Sequence, residues 1–463
     1  MINNLKSTLR WWLHPGLGLK RWLLPLLIGV IILGLGVGLF LRDLYGAAIY
    51  PPLLRLLLLQ MLPRWIRGLI FCAVGIVLTS YSIYQLNKTI LTAFLPYEAS
   101  ASYVAERVYR HRQRRRGGPK LVVIGGGTGL SVLLSGLKHH TENITAIVTV
   151  ADDGGSSGKL RRELGVLPPG DFRNCIAALA EDDALTTQLF QYRFRSGQGL
   201  EGHSFGNLFI TAMTSVAGSF ENALYESGRV LNSKGRILPS TLENVTLFAE
   251  LIEGSQTRKV RGESAIPEAK LPIDRVYFEP DEPLAFPPAL QAILNADLII
   301  AGPGSLYTSI IPNLLVREIS TAIEASDATK IYICNVATQP GETDHYSVDD
   351  HVQVIERHTN FDDPHHKKPL FEFVLVNNNQ KQVIPADMNL QPVLPRHPEQ
   401  TKYNLIKVDV VDEQNPWRHD PIKLANQLMR WYKNYNRRCD SHTHITHFNK
   451  NSGDFSNDNK SWY

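Results

Sequence analysis

At 463 residues the chain is long enough for one large α/β domain of about 300 residues, with segments to spare. Its 48 Lys and Arg against 44 Asp and Glu leave a net charge of +4, which excludes a general nucleic-acid binder and makes any basic excess local. Four cysteines (Cys72, Cys175, Cys334 and Cys439) stand far apart with no CxxC pair, which excludes a disulfide scaffold and a structural zinc site.

Two uncharged apolar runs come first. Trp22–Leu41 is about twenty residues, enough to cross a hydrocarbon core of about 30 Å, and Gly68–Leu86 is a second run of similar length. The first is too long for a signal peptide and has no small-residue cleavage site. Pro51–Leu62 between them is too short to cross and carries Arg55, so it is expected in the interface. Lys6, Arg10, Lys20 and Arg21 before the first run and Lys88 after the second are set against Arg42, Arg55, Arg64 and Arg67 in the connection. With the Arg-rich stretch Arg107–Lys120, the outer flanks outweigh the connection and are expected on the cytoplasmic side. Residues 1–100 are thus expected to be a membrane anchor, and residues 101–119 a basic juxtamembrane linker suited to anionic lipid. The expected location is a bacterial-type cytoplasmic (inner) membrane, multi-pass, with the following domain in the cytoplasm.

That domain opens on the apolar run Leu121–Ile124, which drops into Gly125, Gly126 and Gly127, then Thr128 and Gly129, then an amphipathic stretch. A second apolar run, Thr145–Val150, ends at Asp152 and Asp153, with Gly155, Ser156 and Ser157 just beyond. Strand, glycine turn, helix, strand and acid is the layout of a nucleotide-binding βαβ unit. Residues without Cβ let backbone N–H groups close on a phosphate at a helix N-terminus, and the acid stands where a ribose hydroxyl is read. Leu130 occupies the last glycine position of GxGxxG, and no Lys-Ser/Thr follows as in a Walker loop, so NAD and ATP are disfavoured.

Further strands are expected at Asp297–Ala301, Ile331–Asn335 and Phe371–Val376. Near-continuous apolar runs without alternation indicate a Rossmann-like, mostly parallel sheet with helices on both faces. Val245–Leu251 with Lys259–Val260 has the look of a hairpin, and Gln256–Pro288, rich in charge and proline, of a smaller inserted, loop-bearing lobe. Gly302, Gly304 and Ser305 precede an apolar helix over Ile310–Ile323 and offer a second anion site, Ser305 being equally able to serve as an N-cap. Asn174, His203 and Asn207, like Asp171, are polar residues on otherwise apolar helical stretches and are candidate pocket residues. Tyr346 offers a ring face to a base. The nucleotide-binding domain is expected over 120–435 and a disordered polar tail over 436–463. HTHITH (His442–His447) in that tail has metal-capable spacing suited to adventitious metal only. No Ser-His-Asp order, HExxH or GxSxG appears, and no residue pair has the spacing of a nucleophile with its base, so no catalytic residue is assigned.

The motifs also stand in a distinctive order. ADDGGSSGKLRRELG (Ala151–Gly165) is followed by PPGDFRNCIAALA (Pro168–Ala180), HSFGNLFITAM (His203–Met213) and GES (Gly262–Ser264). ADLIIAGPGSLYTSIIPNLLV (Ala296–Val316) and NVATQPGETDHYSVDDHV (Asn335–Val352) complete the series. In this the chain resembles the gluconeogenesis-factor (YvcK-like) proteins, relatives of the CofD phospholactate transferases, over residues 120–435. The resemblance implies a UDP-sugar ligand and a regulatory role in cell shape during gluconeogenic growth, with no established reaction. For CofD members it implies a transferase that moves a phospholactate-type group from an activated nucleotide to a deazaflavin precursor. From those relatives it also implies a divalent ion such as magnesium on Asp152 and Asp153, and from the YvcK-like proteins a nucleotide contact from Tyr346. The GPGSLYTSIIPNL and TQPGETDHYSVDDH segments look closer to the YvcK-like members. A membrane-tethered nucleotide-sugar sensor is therefore expected first, a transferase second and a membrane scaffold with a vestigial pocket third. Expected partners are the nucleotide sugar, the membrane, a regulatory protein and a second copy of the chain.

Overall fold

Leu121-Val122-Val123-Ile124 has no polar position, and a strand of that kind is stable only with both faces covered. In the computed structural model it forms β1 (Leu121–Gly125), buried along its whole length. The structure describes residues 118–448 apart from 181–184, 361–368, 382, 383, 397 and 400, together with positions 34, 38, 63, 66 and 73, and describes side chains as far as residue 437. The chain divides into two units, Met1–Arg116 and Gly117–Tyr463. Apart from positions 34, 38 and 73, both runs read as membrane spans lie outside the described residues, among which no helix is long and apolar enough to cross a membrane.

After β1 come α1 (Gly127–Leu137), β2 (Ile144–Val148) and five helices in succession: α2 (Gly155–Leu164), α3 (Gly170–Leu179), α4 (Leu185–Gln191), α5 (Phe205–Ala217) and α6 (Phe220–Val230). β3 (Arg236–Pro239) returns to the sheet, and β4 (Thr246–Glu253), β5 (Gln256–Arg261), the short α7 (Ala265–Glu268) and β6 (Ile273–Glu279) form the insertion. The second half runs α8 (Pro287–Leu294), β7 (Leu298–Ala301), a π-helical turn (Leu306–Ile310), α9 (Ile311–Leu314), α10 (Arg317–Ala325) and β8 (Thr329–Ile333). It ends with α11 (Val348–Thr359), β9 (Phe373–Asn377), β10 (Asn404–Val408) and α12 (Pro421–Phe448).

The main sheet has the order β10-β9-β8-β7-β1-β2-β3, every neighbouring pair parallel. β1 takes β2 on one side (Leu121↔Ile144) and β7 on the other (Leu121↔Leu298). The strand order therefore reverses between β1 and β7, and the crevice outside the carboxyl ends at such a reversal is where open α/β sheets bind ligands. The insertion is a second, antiparallel sheet in the order β5-β4-β6.

Several elements differ from the sequence expectation, each for a local reason. The hairpin is present as β4 and β5, but β6 lies inside the stretch read as loop. Its sequence IDRVYFE buries Ile273, Val276 and Phe278 while exposing charge, so composition hid its half-buried pattern. β3 and β10 are edge strands, where Arg236, Asn404 and Lys407 blunt an exposed edge and dilute the apolar signal. The single helix expected over Ile310–Ile323 is broken between α9 and α10, where Val316 is extended. α12 runs through residues 436–448, which composition assigns to a disordered tail. Its start is pinned by buried Leu424, Ala425, Leu428, Met429 and Tyr432, and a nucleated helix extends at one hydrogen bond per added residue.

α12 crosses α1 at Gly136, where an added Cβ would overlap the Pro421 carbonyl and stand 2.7 Å from the Ala425 Cβ. Gly136→Ala is expected to destabilise the fold by about 1–3 kcal/mol through overpacking, although alanine is the better helix former. A lowered urea midpoint at unchanged slope would show it. A stabilised variant would mean that α12 does not sit this closely.

Candidate functional site

Three helices begin at the carboxyl edge of the sheet, and each N-terminus presents unpaired N–H groups that favour an anion. The first belongs to α1. Gly126 is its N-cap with no side-chain cap, and the Gly127 N–H donates to the Asp171 carboxylate. A Cβ on Gly126 would stand 2.7 Å from Asp171 Oδ2, and one on Gly129 2.5 Å from the Pro303 carbonyl. Gly126 and Gly129 thus let neighbouring protein approach closely; Thr128 is exposed on the helix. Burial pushes Asp171 up to about 7, with Asp152 nearby adding to the rise.

The second N-terminus follows Gly302-Pro303-Gly304-Ser305. Here too an internal carboxylate is in place: Glu342 accepts from Thr308 Oγ1 at 3.2 Å, from the Tyr307 N–H and from the Ser305 hydroxyl. Burial raises it to about 7 against these hydrogen bonds. Gly304 is clamped by Asn335, whose amide accepts from its N–H at 3.2 Å and donates to its carbonyl at 2.9 Å. Ser305 accepts from Gln339 Nε2 at 2.8 Å and makes no N-cap bond.

The third N-terminus, that of α2, is different. Gly154 is extended with no side-chain cap, and Gly155, with φ +43°, has open space where a Cβ would point. A cleft of about 230 Å³ opens there. Ser156 and Ser157 from α2, Asp171, Arg173 and Asn174 from α3, Asn207 from α5 and Arg193 line it, beside Asp152. α2 and α3 meet end to end, since a Cβ on Gly170 would stand 2.8 Å from Asp152 Oδ2 and closer still to Ser157. Ser156 Oγ lies 3.0 Å from His203 Nδ1 and accepts from Asn207 Nδ2 at 3.0 Å.

Arg173 is the residue that sequence reading passed over. It is 8% exposed, donates from Nη2 to Asn174 Oδ1 at 2.7 Å, and leaves Nε buried with no hydrogen-bond partner. The buried Asn207 Oδ1 is unpartnered as well. Burial lowers the Arg173 pKa, and the second guanidinium, Arg193, lowers it further. The two guanidinium groups share this small cleft with the Asp152 and Asp171 carboxyl groups, at a helix N-terminus of the kind that favours an anion. The local sequence does not single it out, because Phe172–Ile176 carries Asn174 as well and the burial of Arg173 comes from how α3 packs.

The two adjacent aspartates have separate tasks. Asp152 Oδ1 accepts from the Gly154 N–H at 2.9 Å, and burial raises its pKa. Asp153 Oδ1 accepts from the Ser264 N–H at 3.0 Å and Ser264 Oγ at 2.6 Å, tying the inserted sheet to the end of β2. Gly262, with φ +100°, is required there because a Cβ would collide with the Asp153 carboxylate. This tie delivers Glu263, unassigned in the sequence reading, beside Asp152, Asp171, Asp153 and Glu342, and burial pushes it up to about 8. Among the described residues no group of three or more His, Cys, Asp or Glu side chains is placed to hold a metal ion. The expected base contact, Tyr346, does not line the cleft: it shares a 2.8 Å hydroxyl–hydroxyl bond with Tyr307 and meets the Tyr307 and His351 rings edge-on.

A parallel sheet with its order reversing at β1, and a cleft at its carboxyl edge lined by Arg173 and Arg193 together with Asp152 and Asp171, define a Rossmann-like α/β protein. The model of the 2-phospho-L-lactate transferase CofD family matches residues 121–420, and the chain belongs to that family. A Nostoc sp. relative is 45% identical over 91% of this chain and 92% of its own length, and carries a gluconeogenesis-factor name as a provisional one. The gluconeogenesis factor of Bacillus subtilis is 54% identical over 52% of this chain and 75% of its own. A crystal structure of a protein from Bacillus halodurans has 42% identity and a TM-score of 0.60, covering 68% of this chain and 99% of that one. The family read from the motif order is thus borne out.

Proposed function

We propose that the chain binds a nucleotide sugar by its diphosphate in the α2 cleft and acts as a regulator of cell shape and gluconeogenic growth. The observation that carries this is Arg173, a buried guanidinium with an unused N–H beside Arg193 and the open α2 N-terminus. The gluconeogenesis-factor relatives support the regulatory side, and the family resemblance supports UDP as the nucleotide. The uncharged runs Trp22–Leu41 and Gly68–Leu86 support tethering to a membrane. Magnesium enters this reading only as a bridge. In nucleotide sites Mg²⁺ is held by one or two carboxylates plus phosphate oxygens, and Asp152 is the carboxylate so placed.

A second reading, a nucleotide-dependent transferase, is favoured by one observation. Asp171 and Glu263 beside the cleft are pushed up to about 7 and about 8, the range in which a carboxyl group exchanges protons efficiently at neutral pH. Thermal unfolding of the full-length chain with UDP, UDP-glucose, GDP or inorganic phosphate separates the two. Selective stabilisation by the uridine compounds is expected, about 2.7 kcal/mol at a hundred times Kd. A preference for GDP accompanied by turnover would establish the transferase instead, and no response to any nucleotide would sink both.

A further inference from the structure

The cleft is too small for the ligand proposed for it. At about 230 Å³ it falls below the roughly 300–1,000 Å³ usual for small-molecule sites, so it houses the diphosphate and the attached groups must leave it. One wall is shared. Arg193 lines the cleft and also a neighbouring hollow of about 560 Å³ formed with Tyr192, Phe194, Arg195, Glu201 and Gly202. This hollow belongs to a small hairpin in which Phe194 N–H donates to His203 O at 2.9 Å, Gly202 N–H to Phe194 O at 3.0 Å and Phe205 N–H to Tyr192 O at 2.8 Å. Its returning strand carries His203 and leads into Asn207, so the hairpin is built directly onto the cleft.

Tyr192 and Phe194 flank Arg193, which makes an isolated antiparallel bridge with Ser204, and residues two apart on such a paired segment lie on the same side of it. Their rings meet edge-to-face, with centroids 5.2 Å apart and planes at 82°. Tyr192 is 50% exposed, an aromatic left in water beside a polyanion site. An edge-to-face pair offers one open ring face rather than a slot between parallel faces. That geometry suits the C–H face of a pyranose more than a base, while Arg195 and Glu201 supply a donor and an acceptor for ring hydroxyls.

We infer that Tyr192 and Phe194 form the sugar subsite, an inference that rests on the diphosphate reading of the cleft. Titration calorimetry of the full-length protein with UDP and with UDP-glucose tests it, using Tyr192→Ala and Phe194→Leu. The latter keeps apolar volume under the hairpin but removes the ring. The unmodified protein is expected to bind UDP-glucose about tenfold tighter than UDP, and each variant to lose most of that preference while its UDP affinity stays within about twofold. Equal weakening of both ligands would mean that the hollow holds the base and would overturn the assignment. An unchanged preference would overturn it too, including when it comes with a change in molecular mass by light scattering, which would give this face to a second copy of the chain. If the unmodified protein binds neither ligand, the diphosphate reading itself fails and the subsite falls with it.

Discussion

Replacing Arg173 with methionine is expected to weaken nucleoside-diphosphate binding by about 2–5 kcal/mol, the usual cost of truncating one side of a buried charge pair. Methionine keeps the apolar stem and volume on α3 but removes the unpartnered Nε–H and one of the two charges facing the cleft. The same change is expected to leave the ligand-free protein at least as stable as before. Desolvation and Arg193 disfavour the charged guanidinium more than the nearby Asp171 and Asp152 favour it, and exchanging a buried ion for a well-packed apolar group is often neutral or stabilising. This opposite pair of signs marks a group retained for binding at some cost to the fold. Calorimetric titration with UDP and urea unfolding without ligand check both halves. A large loss of stability with unchanged UDP affinity would make Arg173 a structural partner of Asp171 and Asn174, and the anion would need another site.

The strands nearest the site were legible because their physics is local. Leu121–Ile124 is apolar at every position and Thr145–Val150 at all but the β-branched Thr145 and Thr149, and β1 and β2 lie within about two residues of those limits. The glycine loops were equally legible as helix starts. What spacing could not show is that two of the three helix N-termini are met by the protein's own acids. Asp171 folds back from α3 onto Gly127, and Glu342 from the loop after β8 onto Tyr307. Both are contacts between segments distant in sequence, set by how α3 and the β8 loop pack rather than by any motif. Gly126 and Gly129 are thus also required by a carboxylate and a backbone that approach them closely. Gly155, Ser156 and Ser157, ranked with the others in the sequence, remain as the open cradle. Their partners Arg173 and Arg193 were missed because a lone arginine in a chain of net charge +4 carries no signal until its burial is known.

Raising the pH from 6.5 to 8.5 in the presence of a chelator and without ligand is expected to cost about 2–3 kcal/mol of stability, and Glu263→Gln to remove most of that loss. The sign follows from three carboxyl groups whose folded values are raised: Asp171 and Glu342 to about 7 and Glu263 to about 8, from ordinary values of 3.8, 4.5 and 4.5. Between the ordinary and the raised value the folded state binds more protons than the unfolded one. Stability is therefore full at low pH and is lost as pH rises through the folded values. Histidines oppose this, mostly at lower pH. Burial lowers His351, His358 and His419, whose contribution is present above 6.5 and lost as pH falls below it. Above pH 6.5 the histidine gain still to come is about 0.4 kcal/mol each, so the larger loss from the acids sets the sign. Within this window Glu263 has the highest value and contributes the most, and glutamine copies its protonated form in shape and neutrality. Urea midpoints at half-unit intervals would trace the profile. A flat profile for the unmodified protein would show that Glu263 is hydrated and ionised, and that the acid wall beside the cleft is open to water.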